Sequence, residues 1–389
     1  MKPLAITGVG IVSPLGTGAD AFFSAMKSTP ASLSQRPPAP IQSFDGKRYE
    51  GRVVPIVEVQ PTFEPQKYLG DKGLRTLDRL TKLLVVAARL CLADAGLKKD
   101  GQWQALGPER VGVCCSNAYG SLEAITELDR VAKLEDARYI NPAKFPNTVS
   151  NSASGYVSIW EDLRALNVSV SDGNCGGLDA LSCADIFLAT SRADAILTGG
   201  GEAMSEALYL AFDKLGVLGE MRLGEGAAFM ALEDPALAKK REAKVLAEVT
   251  GFGTAFVPPH EEITLLFSSR EAIERAIAQA LADADVAPSA IDLVASSMSG
   301  LQQFDDPERE AIANALGTDI AVSAPKLLLG ETLGAGGTMS MACALAWLDG
   351  APVTPLLSGA PPKKVENVLV TSVGYYGNAS AIVMRRPKR

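Results

Sequence analysis

Residues 168–198, VSVSDGNCGGLDALSCADIFLATSRADAILT, decide the fold of this 389-residue chain. Their pattern predicts a strand at Val168–Ser171, a turn of small residues at Asp172–Gly177, a helix at Leu178–Thr190 and a second strand at Ala195–Thr198. The helix is apolar on nearly every side, which is typical of a helix buried inside the protein. Helices buried between two sheets are unusual, so this stretch restricts the fold to architectures in which a helix lies between two sheets.

A second stretch near the C-terminus repeats this arrangement. The glycine-rich turn Gly330–Gly337 leads into an apolar helix at Thr338–Leu348, and a strand follows at Val368–Thr371. Elsewhere, short apolar strands alternate with helices such as Arg79–Ala95 and Arg270–Ala284, which indicates an α/β protein with covered sheets. Two halves, each with its own buried helix, predict a five-layered αβαβα stack.

The charged stretch Pro235–Glu242 is the predicted join between these halves. We therefore place the N-terminal half, which carries Cys175, at residues 1–240 and the C-terminal half at residues 241–389.

Composition and charge exclude several classes of function. The chain has 37 Lys plus Arg against 45 Asp plus Glu, a net charge of −8, which argues against nucleic acid as the main partner. A local basic patch could still bind an acidic protein. Six scattered cysteines without a CxxC pair fit a reducing cytoplasm, and no apolar run approaches the roughly 20 residues that cross a bilayer. We expect a cytoplasmic protein with no membrane span.

The single histidine, His260, excludes mechanisms that need two histidines, and it argues against histidine-rich metal sites. It follows two prolines in a predicted loop and is interpreted as a surface residue. We expect neither a metal ion nor a cofactor.

Cys175 is the strongest candidate for chemistry. It lies after a strand and at the start of the buried helix, where partial positive charge and unpaired N–H groups lower the pKa of a thiol. Gly176 and Gly177 would let backbone amides approach a ligand and form an oxyanion hole. The residues alone leave two interpretations open: a nucleophile, or a buried structural cysteine.

Three other glycine-rich segments carry weaker signals. Residues 7–16, TGVGIVSPLG, depart from the dinucleotide-binding fingerprint because Ser13 and Pro14 replace its third glycine. The segments Thr198–Met204 and Gly224–Ala228 predict tight turns at strand ends and not phosphate-binding loops.

Seven segments together resemble the β-ketoacyl-ACP synthase family, the condensing enzymes of the thiolase fold. They are ITGVGIVSPLG (6–16), LDRLTKLLVVAARLCLADAGL (77–97), ERVGVCCSN (109–117), NCGGLDALSCADIFLATSRADAILTGGGEAM (174–204), LGEGAAFMALED (223–234), SAPKLLLGETLGAGG (323–337) and TSVGYYGNASAIVMRR (371–386). The resemblance covers nearly the whole chain. It implies two duplicated αβαβα halves, an obligate dimer and acyl chains delivered on an acyl carrier protein.

The resemblance also assigns the site residues. In that family a cysteine at the start of the buried helix takes the acyl chain as a thioester, and Cys175 matches that position. Two histidines then assist decarboxylation and stabilise the enolate. Here Ser297 stands at the first histidine position, and Glu331 replaces the second histidine five residues after a retained Lys326. The acidic pair that follows the first histidine is matched by Asp305 and Glu308.

These substitutions bear on the chemistry. Losing one donor to a developing oxyanion typically costs about 10²–10³ in rate. An ionised Glu331 would oppose both thiolate and enolate and raise the pKa of Cys175, while Ser297 offers only a neutral hydrogen bond. Ordinary condensation by this chain alone is therefore not expected.

Two further departures affect the substrate entrance. The family's longer segment before GEGAA shrinks to GVLGEMRL at residues 216–223. The family's gating GFGG reads Gly374-Tyr375-Tyr376-Gly377, which adds bulk near the acyl cavity. We assign Tyr375 and Tyr376 as substrate-binding positions.

The family contains a subunit that no longer condenses, the chain-length factor (KSβ) of type II polyketide systems, which pairs with a catalytic ketosynthase and shapes the acyl tunnel. The chain resembles this subunit, within a polyketide/polyene or fatty-acid synthase, but it departs from it by keeping a cysteine. The alternative is an active synthase or acyltransferase in which Cys175 is acylated and Glu331 is a general base. A third interpretation is a paralogue that keeps only the fold.

Overall fold

A computed structural model describes residues 2–36, 41, 43–45, 56–58, 63–260 and 266–387. Within these residues the strands are β1 (Leu4–Ser13), β2 (Gly16–Thr17), β3 (Ile56–Val57), β4 (Lys98–Lys99), β5 (Gln102–Trp103), β6 (Val111–Ser116), β7 (Asn167–Val170), β8 (Ala195–Glu202), β9 (Leu223–Gly224), β10 (Gly226–Glu233), β11 (Ala247–Phe256), β12 (Leu293–Ala295), β13 (Ala321–Ser323), β14 (Leu356–Ser358), β15 (Asn367–Val373) and β16 (Asn378–Arg385).

The α-helices of the same residues are α1 (Ala19–Lys27), α2 (Gln66–Leu69), α3 (Arg79–Asp94), α4 (Leu122–Val131), α5 (Ser152–Glu161), α6 (Gly176–Ala189), α7 (Glu206–Lys214), α8 (Pro235–Lys240), α9 (Arg270–Asp283), α10 (Gln302–Leu316), α11 (Lys326–Leu329) and α12 (Gly336–Leu348). None of the described helices is long and apolar enough to cross a membrane.

Twelve strands form one mixed sheet in the order β14-β13-β12-β15-β16-β11-β1-β10-β8-β6-β7, with β2 paired to β1. The order contains an internal repeat. In the run β1-β10-β8-β6-β7, and again in the run β11-β16-β15-β12-β13, the first strand in sequence is followed by the fifth, fourth, second and third. Parallel pairs occupy the same places in both runs. This repeat is what the similar helix-and-strand units in the sequence predict.

The two runs meet at a hydrogen-bonded seam that the sequence did not predict. Residues Leu4–Ile6 of β1 pair antiparallel with Ala247–Val249 of β11. Through this seam the hydrogen bonding continues from the sheet layer of one repeat into the sheet layer of the other.

Alternating side chains on the strands separate three apolar cores. On β10, Met230 packs with the central helices α6 and α12, whereas its neighbour Phe229 packs with α3 and α5. On β16, Ile382 likewise faces the central helices, and Val383 faces α9 and α10. Every residue of α12 is buried. The layers therefore run helix, sheet, helix, sheet, helix, which confirms the predicted αβαβα class.

The structure corrects two local predictions. Thr198–Glu202 and Gly226–Ala228 do not form turns, because they lie inside β8 and β10. An added Cβ on Gly199 would lie only 2.0 Å from the carbonyl oxygen of Ala228, so close backbone approach explains this glycine. The boundary between residues 240 and 241 stays a prediction.

Candidate active site

The two glycine-rich loops of the sequence meet at the start of the central helices. Cys175 ends a short 3₁₀ turn, Gly173–Cys175, that runs directly into α6. An added Cβ on Gly177 would lie 2.8 Å from Thr338 Oγ1 of α12, and one on Gly337 would lie 2.8 Å from Leu178 Cγ. Glycines at these positions therefore let the two helices begin side by side.

Ser297, Lys326 and Glu331, all predicted from the sequence as site residues, form one buried cluster, which we call the 297–326–331 cluster. The Lys326 Nζ donates to Ser297 Oγ at 2.9 Å and to Glu331 Oε2 at 2.7 Å. The three residues are 6%, 4% and 1% exposed. The ammonium thus lies between the two residues that stand at the histidine positions.

The acidic pair predicted after Ser297 fixes the loop that carries it. Glu308 Oε1 accepts hydrogen bonds from the Ser297 N–H at 2.8 Å and from Thr371 Oγ1 at 2.5 Å. Asp305 accepts from the N–H groups of Ser299 and Gly300 at 3.0 and 2.9 Å. Burial raises the pKa of Glu308 to about 7. Both carboxyl groups therefore position the loop after β12.

Both oxygens of Glu331 have partners besides Lys326. Oε1 accepts from the Leu333 N–H at 2.9 Å. Oε2 accepts from Asn174 Nδ2 and from the Tyr375 hydroxyl, each at 3.3 Å. A carboxylate in this setting is an acceptor only, so it cannot donate to an enolate oxygen as a histidine N–H would.

The thiol of Cys175 points to other neighbours. It is completely buried and lies 3.4 Å from the Ser372 carbonyl oxygen, to which it can donate. Burial raises the pKa of Cys175 well above its usual range, and the carboxyl groups of Asp179 and Asp172 raise it further. The expectation that the helix N-terminus lowers this pKa is therefore wrong, because desolvation dominates. The expected rise is present, but it comes from burial and these two aspartates and not from Glu331.

Of the two tyrosines predicted to bind substrate, only Tyr375 reaches the cluster. Its ring stacks edge-on against Phe304 at 5.0 Å and lies 6.1 Å from Phe212. Tyr376 is 56% exposed, and its backbone pairs with Phe267. The structure thus separates the two residues, with one inside the site and one on the surface.

The shortened segment 216–223 packs against the same cluster. The Gly224 N–H donates to the Glu331 carbonyl and the Glu331 N–H donates to the Arg222 carbonyl, each at 2.8 Å. Met221 Sδ lies 3.7 Å from the Tyr375 hydroxyl and 3.9 Å from Ser299 Oγ. The segment therefore covers the cluster.

Sequence reasoning missed Met221 and Asn174 as site residues. The shortened segment before GEGAA was the available signal for Met221. The sequence did not show that this segment packs against the cluster. Asn174 directly precedes Cys175, and no motif in the sequence marks it as a site residue. His260 is exposed, as predicted.

Comparisons with known proteins agree with this fold. Residues 1–234 match the model of the "Beta-ketoacyl synthase, N-terminal domain" and residues 246–359 match that of the "Beta-ketoacyl synthase, C-terminal domain". The chain is 29% identical to the ketoacyl synthase alpha subunit of the tetracenomycin polyketide synthase of Streptomyces glaucescens, across 100% of this chain and 98% of the relative. It is also 29% identical to the beta subunit of that synthase, across 99% and 98%.

Among solved structures, "The ishigamide ketosynthase/chain length factor" superposes with a TM-score of 0.87 and covers all of both chains at 23% identity. At that identity the likeness shows the fold. Equal identity to an alpha and a beta subunit does not distinguish the two roles. Because the two domain models together span most of its length, the chain belongs to the β-ketoacyl synthase family.

Proposed function

We propose that this chain is a chain-length-factor-like subunit, which pairs with a catalytic ketosynthase and shapes the tunnel for chains carried on an acyl carrier protein. The biosynthetic setting would be a type II polyketide, polyene or fatty-acid synthase. The beta subunit among the relatives supports this proposal, although the alpha subunit is equally similar.

One observation carries the proposal: the residues at the two histidine positions are joined by a buried lysine. Decarboxylative condensation develops negative charge on a thioester oxygen, and it needs hydrogen-bond donors aimed at that oxygen. Ser297 Oγ instead accepts from Lys326 Nζ at 2.9 Å and from the Val373 N–H at 3.1 Å. Glu331 accepts from Lys326 and adds a carboxylate. The cluster supports charge pairing within the protein and not charge stabilisation on a substrate.

The alternative, an active enzyme with Glu331 as general base, receives less support. A general base must be free to take a proton, but four hydrogen bonds from Lys326, Leu333, Asn174 and Tyr375 already reach this carboxylate. The Cys175 thiol can donate to a backbone carbonyl, which favours a neutral and weakly nucleophilic sulfur.

The test is reconstitution with and without a ketosynthase. The purified chain should show no condensation of malonyl-ACP with an acyl-ACP primer. Co-expression with a catalytic ketosynthase from the same system should yield a stable heterodimer by native mass spectrometry, and that complex should extend chains. Condensation by this chain as a homodimer would refute the proposal.

A further inference from the structure

We propose that Asn174, and not Cys175, occupies the position from which a nucleophile would face the 297–326–331 cluster, so that the acylation site of this chain holds an amide. This inference rests on the proposed function, because it names the residue that makes the subunit unable to carry an acyl chain. It also shifts by one position the assignment that the sequence favours.

The local backbone allows only one of the two side chains to face the cluster. Asn174 and Cys175 are consecutive residues of the 3₁₀ turn Gly173–Cys175. Such a turn has about three residues per turn, so neighbouring side chains project roughly 120° apart. If one of them points at Glu331, the other must point elsewhere.

Asn174 is the residue that points at the cluster. It is buried, its Nδ2 donates to Glu331 Oε2 at 3.3 Å, and the Tyr375 hydroxyl donates to the same oxygen. The Ser372 hydroxyl donates to its backbone carbonyl at 2.6 Å, which fixes the backbone of the turn.

The carbonyl oxygen of the Asn174 side chain is the second observation. Oδ1 is buried and has no hydrogen-bond partner among the described residues. A buried acceptor without a partner is costly unless water or a ligand fills it. The position therefore offers a neutral acceptor at the site where acyl transfer would need a thiolate.

Cys175 lies on the other side of the turn. Its sulfur contacts the Ser372 carbonyl, and its acidic neighbours are Asp179 and Asp172. Asp179 is itself held by a hydrogen bond from Ser380 Oγ at 2.6 Å. Lys326 acts on the Cys175 thiol through its charge, which lowers the pKa, but none of the hydrogen-bonding and acidic neighbours named here belongs to the 297–326–331 cluster. We therefore expect histidines restored at positions 297 and 331 to face the side chain at position 174 and not this sulfur.

The experiment compares a thiol at position 174 with the native thiol at position 175. Both variants carry Ser297→His and Glu331→His; one also carries Asn174→Cys and Cys175→Ser, and the other keeps Asn174 and Cys175. Each is incubated with the N-acetylcysteamine thioester of butanoic acid, and adducts are located by intact-mass and peptide mass spectrometry. The protein thiolate attacks the acyl carbon, and N-acetylcysteamine leaves as its thiol after taking a proton.

We expect the thiol at position 174 to be acylated at least about tenfold faster than Cys175. A rate at position 174 that is equal to or below the rate at Cys175, including no adduct on either, would overturn the assignment. If the histidine variants do not fold by circular dichroism, Asn174→Cys/Cys175→Ser is compared with the native chain using iodoacetamide, under the same criterion. Neither assay contains carrier protein or a partner subunit, so a negative result refutes only the assignment of position 174. The proposed function is refuted by a different result, condensation by this chain as a homodimer.

Discussion

Lys326 and Glu331 are buried together, and removing one charge leaves the other without its nearest counter-ion. Breaking such a pair by deleting one partner typically costs about 3–5 kcal/mol. We therefore expect Lys326→Met to lower the free energy of unfolding by roughly this amount at pH 8, as measured by urea denaturation.

The matched control for this prediction is Lys133→Met, which removes the lysine of an exposed pair with Asp129 at 2.9 Å. Exposed pairs contribute at most about 1 kcal/mol. Equal losses in the two variants would contradict the idea that burial makes the Lys326 pair important.

Glu308 gives a second prediction at this scale, through its pKa of about 7. A carboxyl group with a higher pKa in the folded than in the unfolded chain binds more protons when folded. Its stabilising contribution is complete below about pH 4.5 and is lost as pH rises through about 7. Relative to Glu308→Gln, the native chain should lose about 3 kcal/mol of unfolding free energy over this range.

Urea denaturation at pH 5, 6, 7 and 8 measures this difference. Glu310→Gln alters an exposed carboxyl group of the same helix that pairs with Arg270, and it should follow the native pH profile. Parallel profiles for the native chain and Glu308→Gln would show that Glu308 does not titrate in this interval.

The sequence predicted part of this site and missed part of it for a physical reason. Ser297, Lys326 and Glu331 could be predicted to meet, because the resemblance places all three at positions that converge in the fold. The sequence could not predict which of the two side chains, Asn174 or Cys175, faces the 297–326–331 cluster. It depends on how the turn before α6 is rotated, and that rotation is set by contacts with Ser372 and Glu331 from distant parts of the chain.

At the scale of secondary-structure elements, β8 depends on glycine where it passes the loop before α12. An added Cβ on Gly200 would lie 2.5 Å from the Gly334 carbonyl oxygen and 2.7 Å from that of Ser116. Backbone atoms cannot move aside cheaply, so Gly200→Ala should lower the unfolding free energy by about 3 kcal/mol, at the upper end for overpacking. Urea denaturation measures the loss.

Gly155→Ala provides the matched control within α5. An added Cβ there meets nothing within 4 Å, and alanine favours a helix over glycine by about 0.5–1 kcal/mol. This variant should be as stable as the native chain or slightly more stable. A Gly200→Ala variant that is equally stable would mean that β8 and the loop can separate without cost.

The type and order of the helices and strands could be predicted better than the residues at which they begin and end. The strand predicted at Ala195–Thr198 begins at the predicted residue, and the helix predicted at Arg79–Ala95 ends one residue earlier. In contrast, β8 continues through the three glycines that were predicted as a turn. Glycine is usually a signal for turns, and its use for close packing becomes visible only when the opposing backbone is known.

At the scale of the whole molecule, the site exists only where both repeats meet. Asn174 and Cys175 come from the first repeat, whereas Ser297, Lys326 and Glu331 come from the second. The β1–β11 seam and the adjacent starts of α6 and α12 hold these groups together. One surface of the first repeat is, by contrast, unusually apolar.

Five apolar side chains between residues 134 and 159 are each more than half exposed, and we take this stretch as one candidate surface: Leu134, Tyr139, Phe145, Val149 and Ile159. Such concentrations of exposed apolar side chains mark protein interfaces. Nearby, β7 ends the sheet order, so one of its edges has no strand beside it in the described part of the chain. If the chain pairs with a ketosynthase as proposed, this surface is where we expect the partner to bind.

Ile159→Asp and Phe145→Asp should each weaken the heterodimer at least tenfold, because each places a charge in an apolar contact. Native mass spectrometry across a dilution series measures the dissociation. Phe256→Asp serves as the control, since Phe256 is 58% exposed at the end of β11 in the second repeat. It should leave pairing intact. If Phe256→Asp weakens the heterodimer while Ile159→Asp and Phe145→Asp do not, the ketosynthase binds the second repeat and the apolar surface between residues 134 and 159 has another role.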